Sequence, residues 1–335
     1  RRYDHAHRND RRGAAEKMAR GDLRVAGYNM SRLTKIQLQC LDLLDIDVIG
    51  LTEVWSTAAS LDNYRGANRL LVGDPPAAGD PAGAVAARLS AGAARALHSW
   101  DMVPGAHNRS MWMQFATAHG PLVVVVAYIP PHYRRKPNQQ TVLDAVSRFT
   151  TSWGDIPVIV VGDWNAQLIR YTDVSGRWVL RKDRTGMNPA QTAASKRLHG
   201  FATDAGLYAV NSGQWAFQPQ RGFAASWKLP GLGSDGLEKL VTLDYTFANR
   251  TAKDLVLSCC NVWAQSKLRW AAARYDHALQ LSTWRIQTSA IKSMPGMRGV
   301  KAIYRPQDRK QALEVNFRRL IAESATATVE ALTRI

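Results

Sequence analysis

Two runs of β-branched residues in the middle of the chain constrain its fold more than any other feature. The runs, 123–128 and 158–161, are continuously apolar, which is typical of strands buried on both faces. The first is stopped by Pro-Pro at 130–131, and the second continues into Gly-Asp-Trp-Asn at 162–165. A helix is predicted between them, at 141–151. The centre of the chain is therefore predicted to be a buried strand, a helix and a second buried strand.

The remaining predicted elements continue this alternation. Helices are expected near residues 36–44 and at 191–205. Further strands are expected at 23–29, 48–51, 84–89, 111–116, 208–210, 240–247, 255–262 and 278–282. Buried strands that alternate with helices, together with pairs that look antiparallel, predict an α/β sandwich with mixed sheets. Functional residues of such folds gather where strands end and loops begin.

The length of 335 residues allows one large two-sheet domain with extensions. Residues 1–21 are polar and Arg-rich, and we expect a basic flexible arm. The strand pattern spans 22–285, which is the predicted folded domain. Residues 286–335 are predicted to be a basic linker towards a downstream domain, partly helical near 311–326. Because the chain also lacks an initiator Met, we expect it to be a fragment of a longer polypeptide.

The chain is strongly basic, with 44 Lys and Arg against 27 Asp and Glu and a net charge of +17. Such an excess favours a polyanionic partner, because Lys and Arg that neutralise phosphates release bound counterions. Nucleic acid is the expected partner, although charge alone does not separate this class from other basic proteins. Arg134, Arg135 and Lys136 form a loop that could follow a nucleic-acid backbone or could equally be a solvated run of charge.

Cysteine usage and hydropathy exclude several classes. The three cysteines, Cys40, Cys259 and Cys260, indicate neither a disulfide framework nor a zinc site, so a reducing, intracellular compartment is expected. No apolar run approaches the roughly 20 residues that a membrane span needs. The Arg-rich start has no apolar segment behind it and is not a secretory signal. We therefore expect no membrane partner.

Polar side chains that could carry out chemistry stand at the ends of predicted strands. Asp163 could accept a proton from water and Asn165 could bind a phosphate oxygen, although Gly, Asp and Asn are also the usual turn residues. His277 could stabilise charge on a phosphate if a carboxylate orients its ring, or it could be an ordinary loop histidine. Asp244 lies among apolar residues, where a carboxylate needs a partner such as histidine.

Three further residues have a functional and an ordinary interpretation. Asn29 and Glu53 carry oxygen atoms that suit a hard cation such as Mg²⁺, but they could be solvated surface residues. The Tyr128 hydroxyl could donate to a phosphate, or its ring could simply pack in the core. Taken singly, none of these residues indicates a function. Their order along the chain does.

The ordered series resembles the endonuclease/exonuclease/phosphatase family, which includes abasic-site endonucleases, pancreatic deoxyribonuclease and the endonuclease domains of LINE-type retrotransposons. The matching segments, within 23–284, are Leu-Arg-Val-Ala-Gly-Tyr-Asn, Leu-Thr-Glu, Val-Ala-Tyr-Ile-Pro-Pro, Val-Gly-Asp-Trp-Asn-Ala, Leu-Asp-Tyr and Asp-His. Each required residue type is roughly a one-in-twenty event, so the whole series is hard to assign to chance. The resemblance implies a DNase I-like, four-layer α/β/β/α sandwich of two mixed β-sheets flanked by helices.

The resemblance also implies a role for each residue. The predicted metal ligands, which would hold Mg²⁺ with Mn²⁺ as a substitute, are Glu53, Asn29 and Asp276. Asp163 would position or deprotonate the attacking water, and Asn165 and Tyr128 would hold the phosphate. His277, oriented by Asp244, would stabilise the transition state. Departures from the family pattern occur at Ser31, Gln167 and Tyr275, and no core catalytic position is lost.

Within the family, the retrotransposon branch is expected to be nearest, because the chain shares its short form and the stretch 194–211. The basic tail fits a linker towards a reverse transcriptase, by analogy. The predicted function is therefore a magnesium-dependent endonuclease of a retrotransposon polyprotein, which nicks DNA in the nucleus and leaves a 3′-hydroxyl. The alternatives are an RNase or deadenylase-like enzyme, an inositol-phosphate phosphatase, and a catalytically silent nucleic-acid-binding scaffold.

Overall fold

A computed structural model gives the fold and describes residues 22–30, 33, 35–54, 69–73, 84–131, 139–168, 170–172, 178–180, 189–212, 226–232, 238–262 and 277–288. Several predicted features lie outside these ranges: the arm at 1–21, the loop with Arg134, Arg135 and Lys136, the ligand Asp276, and most of the linker.

Strands and helices alternate through the described residues. In chain order they are β1 (Leu23–Asn29), α1 (Lys35–Asp42), β2 (Val48–Val54), β3 (Arg69–Val72), β4 (Ala84–Leu89), α2 (Ala91–Ala96), β5 (Leu97–Met102), β6 (Ser110–Thr117), β7 (Gly120–Tyr128), α3 (Gln139–Thr151), β8 (Val158–Asp163), β9 (Arg170–Thr172), β10 (Trp178–Leu180), α4 (Pro189–Asp204), β11 (Tyr208–Ala209), a 3₁₀ helix (Val210–Ser212), β12 (Trp227–Leu232), β13 (Glu238–Val241), β14 (Asp244–Ala248), α5 (Arg250–Lys253), β15 (Val256–Val262) and β16 (Leu279–Trp284). No helix in the described ranges is long and apolar enough to cross a membrane.

Two six-stranded sheets organise these elements. The first sheet has the order β15-β16-β1-β2-β4-β3, and the second has the order β11-β14-β8-β7-β6-β5. β1 pairs with β2 and β7 pairs with β8 in parallel, and the other neighbours are antiparallel. A parallel pair needs a crossover, and α1 and α3 lie in these two connections. Both sheets are therefore mixed, as predicted.

The side chains of β7 show why its sequence is continuously apolar. Val124 and Val126 pack in the core between the two sheets, whereas Val123 and Val125 pack against α3 and α4 on the outer face. On the other side of the molecule, α1 covers the outer face of the first sheet. The layers run helix, sheet, sheet, helix, which confirms the predicted four-layer sandwich.

Two glycines allow close contacts: Gly50 lets the two sheets approach each other, and Gly162 lets two neighbouring strands of the second sheet do so. A Cβ at Gly50 would lie 2.7 Å from Cγ2 of Val126 and 2.9 Å from Cγ2 of Val161, both in the second sheet. At Gly162, where φ is +154°, a Cβ would lie 1.8 Å from the carbonyl oxygen of Ala127 on the neighbouring strand. Only glycine fits immediately before Asp163.

The structure corrects the strand predicted at 240–247, which is two strands, β13 and β14. The strand is interrupted at Thr242 and Leu243, where the backbone bonds to side chains: the Tyr245 hydroxyl donates to the Thr242 carbonyl (3.1 Å), and the Leu243 N–H donates to Ser226 Oγ (2.9 Å). Asp244 is therefore the first residue of β14 rather than a residue inside an apolar strand. Strand β5 was not predicted, because its sequence does not alternate and it forms an edge of the sheet.

Candidate active site

Six of the predicted site residues form three hydrogen-bonded pairs between the two sheets at one end of the sandwich. They link Asn29 Nδ2 to Asp163 Oδ2 (2.8 Å), the Tyr128 hydroxyl to Glu53 Oε1 (2.8 Å), and His277 Nδ1 to Asp244 Oδ2 (3.0 Å). In each pair, one residue belongs to the second sheet and the other belongs to the first sheet or leads into it. The structure thus brings together all seven described members of the predicted site once Asn165, next to Asp163, is included.

The strand register explains why these side chains meet. In the second sheet, Asp163 lies opposite both Tyr128 on β7 and Asp244 on β14. In the first sheet, Asn29 lies opposite Thr52, the residue before Glu53. Because parallel strands end at the same edge, the last residues of β1 and β8 and the polar end of β2 face one another across the sandwich.

A β-bulge turns Glu53 towards the second sheet. Leu51 pairs with Ala86 and Val54 pairs with Ala84, so two residues of β2 oppose one residue of β4. Leu51 and Val54 both pack in the outer core, which strict alternation would not allow. Glu53 has φ of +52°, a left-handed conformation that costs about 1–3 kcal/mol in a residue other than glycine. Here, this bulge places the carboxylate against Tyr128.

Asp163 is buried and accepts three hydrogen bonds. Besides the bond from Asn29, it accepts one from the backbone N–H of Asn165 (2.9 Å) and one from Asn165 Nδ2 (3.2 Å). Burial raises the pKa of Asp163 well above its ordinary value, and the charges of Asp244 and then Glu53 raise it further, while His277 and the Asn165 N–H oppose the rise. A raised pKa makes the ionised Asp163 carboxylate a stronger proton acceptor than an ordinary aspartate.

Asn165 is held in a left-handed conformation beside Asp163, with φ of +45°. Its Nδ2 donates to the Ile129 carbonyl (2.9 Å) as well as to Asp163, so both of its N–H groups are engaged. Trp164, which lies between Asp163 and Asn165 in the sequence, is fully buried. It donates from Nε1 to the Tyr245 carbonyl (3.1 Å) and contacts two Phe rings. This anchor fixes the strand end that carries Asp163 and Asn165.

The His277–Asp244 pair is almost entirely buried, with side-chain exposures of 8% and 3%. A carboxylate can only accept hydrogen bonds, so His277 Nδ1 carries the proton and Nε2 is the ring nitrogen that can act on a substrate. The Asp244 main chain is fixed as well: its N–H donates to Ser226 Oγ (2.8 Å) and its carbonyl accepts from Asn211 Nδ2 (3.0 Å). The structure therefore gives His277 one orientation.

Tyr128 donates to Glu53, although the motif predicted a phosphate contact. Burial raises the pKa of its hydroxyl, and the carboxylates of Glu53 and Asp163 raise it further, so the phenol stays protonated and remains a donor. The guanidinium of the fully buried Arg109 lies 5.5 Å from the centre of the Tyr128 ring. Arg109 was not among the site residues predicted from the sequence. In the sequence, Arg109 is distinguished by no more than its position as a basic residue directly before β6, the strand that pairs with β7.

The predicted metal ligands fit a hard divalent cation by their chemistry. Glu53 offers a carboxylate and Asn29 an amide oxygen, and adjacent parallel strands carry them at one edge. Asp276 lies outside the described residues and stays a prediction. A second set of ligand atoms, from Asp163, Asp244 and His277, lies within 4.8 Å of one another. Both sets contain carboxylates at the same end of the sandwich.

Comparison with known proteins supports this interpretation. A family model described as the endonuclease/exonuclease/phosphatase family matches residues 26–266. This match confirms the resemblance seen in the motifs and, with it, the predicted class of enzyme, a metal-dependent phosphodiesterase. No curated protein matches the sequence at a significant level.

Solved structures show the same fold. The endonuclease domain of TRAS1, a telomere-specific non-LTR retrotransposon, has a TM-score of 0.54 at 15% identity and covers 79% of this chain and 100% of its own. The catalytic domain of Xenopus laevis APE2 has a TM-score of 0.59 at 13% identity and covers 81% and 94%. The 3′ phosphatase NExo from Neisseria, bound to a product DNA hairpin, has a TM-score of 0.53 at 14% identity and covers 78% and 99%.

Proposed function

Because the chain belongs to the endonuclease/exonuclease/phosphatase family, we propose that it is a metal-dependent DNA endonuclease that nicks one strand and leaves a 3′-hydroxyl. The observation that carries the proposal is the set of three hydrogen-bonded pairs across the sheets. They hold a proton acceptor, an oriented histidine and an oxygen-rich cation site at one end of the sandwich. These are the groups that hydrolysis of a phosphodiester requires.

The cation in this proposal is Mg²⁺, with Mn²⁺ as a substitute, held by Glu53, Asn29 and Asp276. When bound, it would neutralise charge on the scissile phosphate and on the leaving oxygen. Tyr128 contributes by donating to Glu53 Oε1, which fixes the direction of the carboxylate. The left-handed backbone at Glu53 holds the same side chain at the end of β2.

Asp163 takes the proton of the attacking water. The three donors from Asn29 and Asn165 fix the direction of its carboxylate, and burial and the charge of Asp244 raise its pKa, which strengthens it as a proton acceptor. The 3.2 Å bond from Asn165 Nδ2 is the longest of the three. We propose that this N–H turns to a phosphate oxygen when substrate binds, which gives Asn165 the role predicted from the motif.

His277 acts through Nε2 on the charge that develops at the phosphate. Asp244 accepts from Nδ1 and stabilises the protonated ring, so the pair can present an N–H to a phosphate oxygen. Both side chains are shielded from water, which strengthens the interaction.

The preference for DNA rests on charge and on the relatives. The net charge of +17 favours a polyanion over a small phosphate ester. One structural relative is a retrotransposon endonuclease domain, and another was solved with a product DNA hairpin. We extend the proposal to a retrotransposon polyprotein that acts in the nucleus, with Arg134, Arg135 and Lys136 on the DNA backbone and a reverse transcriptase domain downstream.

A panel of substrates tests the proposal. The purified protein is incubated with Mg²⁺ and, in parallel, with end-labelled duplex DNA, single-stranded RNA and an inositol phosphate. We expect single-strand cuts in duplex DNA whose ends a DNA polymerase can extend directly, which requires a 3′-hydroxyl. Preferential cleavage of RNA would indicate a ribonuclease instead, and phosphate release from the inositol phosphate would indicate a phosphatase. DNA binding without cleavage of any substrate would indicate a silent scaffold.

A further inference from the structure

We infer that Gln280 is a positioning residue of the active site: its buried side-chain amide bridges the two sheets and fixes His277 against Asp244. The catalytic part of this inference rests on the proposed function. Gln280 lies on β16, three residues after His277, and its side chain is fully buried. None of the motifs identified in the sequence includes it.

Both ends of the Gln280 amide bind β14 in the opposite sheet. Nε2 donates to the Asp244 carbonyl (2.9 Å), and Oε1 accepts from the Thr246 hydroxyl (2.8 Å). The network closes through Asn211, whose Nδ2 donates to the Asp244 carbonyl (3.0 Å) and whose Oδ1 accepts from the Thr246 N–H (3.3 Å). All four residues are buried. The Asp244 carbonyl thus accepts two side-chain amides, one from Gln280 on β16 and one from Asn211 in the 3₁₀ helix that follows β11.

Side-chain alternation along β16 places Gln280 between the sheets. Its neighbours Leu279 and Leu281 pack in the outer core of the first sheet, whereas Trp284 packs in the core between the sheets. Most of that inner core is aliphatic, and an amide costs free energy there unless it is fully hydrogen-bonded. The directional bonds of Gln280 set one register of β16 relative to β14, which an aliphatic side chain would leave less defined.

This register matters because the catalytic pair spans the same two elements. His277 leads into β16, and Asp244 begins β14. A shift of either strand would change the Nδ1–Oδ2 distance of 3.0 Å without removing either side chain. In the described part of the chain, the hydrogen bonds of Gln280 go to the Asp244 carbonyl and the Thr246 hydroxyl and not to His277, so its effect on catalysis passes through the Asp244–His277 pair.

Kinetics on plasmid nicking separate this role from simple stabilisation. We expect Gln280→Leu to lower kcat on the order of 10- to 100-fold, with KM for DNA unchanged, because misplacement of a catalytic group slows the chemical step. Adding Thr246→Val removes the hydroxyl that Gln280→Leu leaves unpaired, and it should restore the Tm without restoring kcat. In a His277→Ala background, Gln280→Leu should have no further effect on the residual rate.

Ser282→Ala is the matched control on the same strand. Ser282 is buried, follows His277 by five residues along the chain, donates to the Val25 carbonyl (2.9 Å) and accepts from Trp284 Nε1 (2.9 Å). This variant should lower the Tm and keep kcat. A rate loss in Gln280→Leu no larger than in Ser282→Ala, or one of equal size in the His277→Ala background, would overturn the inference.

Proton NMR supplies a measurement that does not depend on activity. The buried Nδ1–H of His277 bonded to Asp244 should give a downfield resonance, identified by its loss in His277→Ala. We expect this resonance to disappear or broaden in Gln280→Leu and to persist in Ser282→Ala. Its persistence in Gln280→Leu would refute the positioning role. If the parent protein does not nick DNA but the resonance responds as expected, the proposed function fails and the positioning role stands.

Discussion

Asp244→Asn tests two proposed effects of the Asp244 carboxylate: it orients His277, and its charge raises the pKa of Asp163. The bond between His277 Nδ1 and Asp244 Oδ2 is 3.0 Å long, and both side chains are buried. A hydrogen bond to a charged group contributes about 1.5–3 kcal/mol and a neutral one about 0.5–1.5 kcal/mol, so replacing the charged acceptor by a neutral one costs about 1–1.5 kcal/mol and should slow nicking roughly 5- to 15-fold. The amide oxygen can still accept from Nδ1, so the fold should be retained.

The same substitution should change the pH dependence in a defined direction. Asp163 must be ionised to accept a proton, so the rate rises with pH through the pKa of Asp163. Burial raises that pKa most, and the charge of Asp244 is the next cause. Removing this charge lowers the pKa of Asp163, and the acid limb of the rate profile should therefore move to lower pH even as the maximum rate falls.

The assay is the initial rate of plasmid nicking measured across pH at saturating Mg²⁺. Asp254→Asn is the control, because it removes the same charge from an exposed side chain at the end of α5. It should leave both the rate and the acid limb unchanged. If Asp244→Asn left the acid limb in place or moved it to higher pH, Asp163 would not be the group that sets it, and the proposed role of Asp163 would be wrong.

Three further substitutions test the site and its support. Glu53→Gln should raise the Mg²⁺ concentration for half-maximal nicking by more than about tenfold and reduce the Mg²⁺-induced rise in Tm, and an unchanged Mg²⁺ titration would contradict its role as a ligand. Gly50→Ala should lower the free energy of unfolding, measured in urea, by about 1–3 kcal/mol, because the new Cβ would lie 2.7 Å from Val126 Cγ2. A decrease below about 0.5 kcal/mol would show that the two sheets are not packed so closely at this position. Asn165→Gly and Asn165→Ala should lose activity equally, because both remove the amide. The Ala variant should be less stable than the Gly variant by about 1 kcal/mol, because residue 165 has a φ of +45°. An active Gly variant would exclude a role for the amide.

The sequence predicted the site best where local chemistry determines structure. A run of β-branched residues that ends at Asp163 has few alternatives to a buried strand, and the Gly before it is required by contact with Ala127. In the structure, Asp163 at the end of this strand lies opposite Tyr128 and Asp244 on the neighbouring strands. The described part of the predicted set converges at one end of the sandwich.

The sequence could not predict which residues pair across the sheets. Contacts such as Asn29–Asp163 and Tyr128–Glu53 depend on how two sheets stack, which is a long-range property. The bulge at Glu53 has no local signal, because its left-handed residue is not a glycine. Arg109 and Gln280 were not identified because their partners, the Tyr128 ring and the residues of β14, lie on other strands.

Nicking of supercoiled plasmid in the presence of Mg²⁺ directly tests whether this protein is a metal-dependent DNA endonuclease with Asp163 and His277 in its active site. The parent protein is compared with Asp163→Ala, His277→Ala and a chelated sample containing EDTA. We expect conversion to the open-circular form by the parent alone, with activity abolished by chelation and severely reduced by each substitution. No nicking by the parent at any concentration of Mg²⁺ or Mn²⁺, or full activity in either variant, would contradict it.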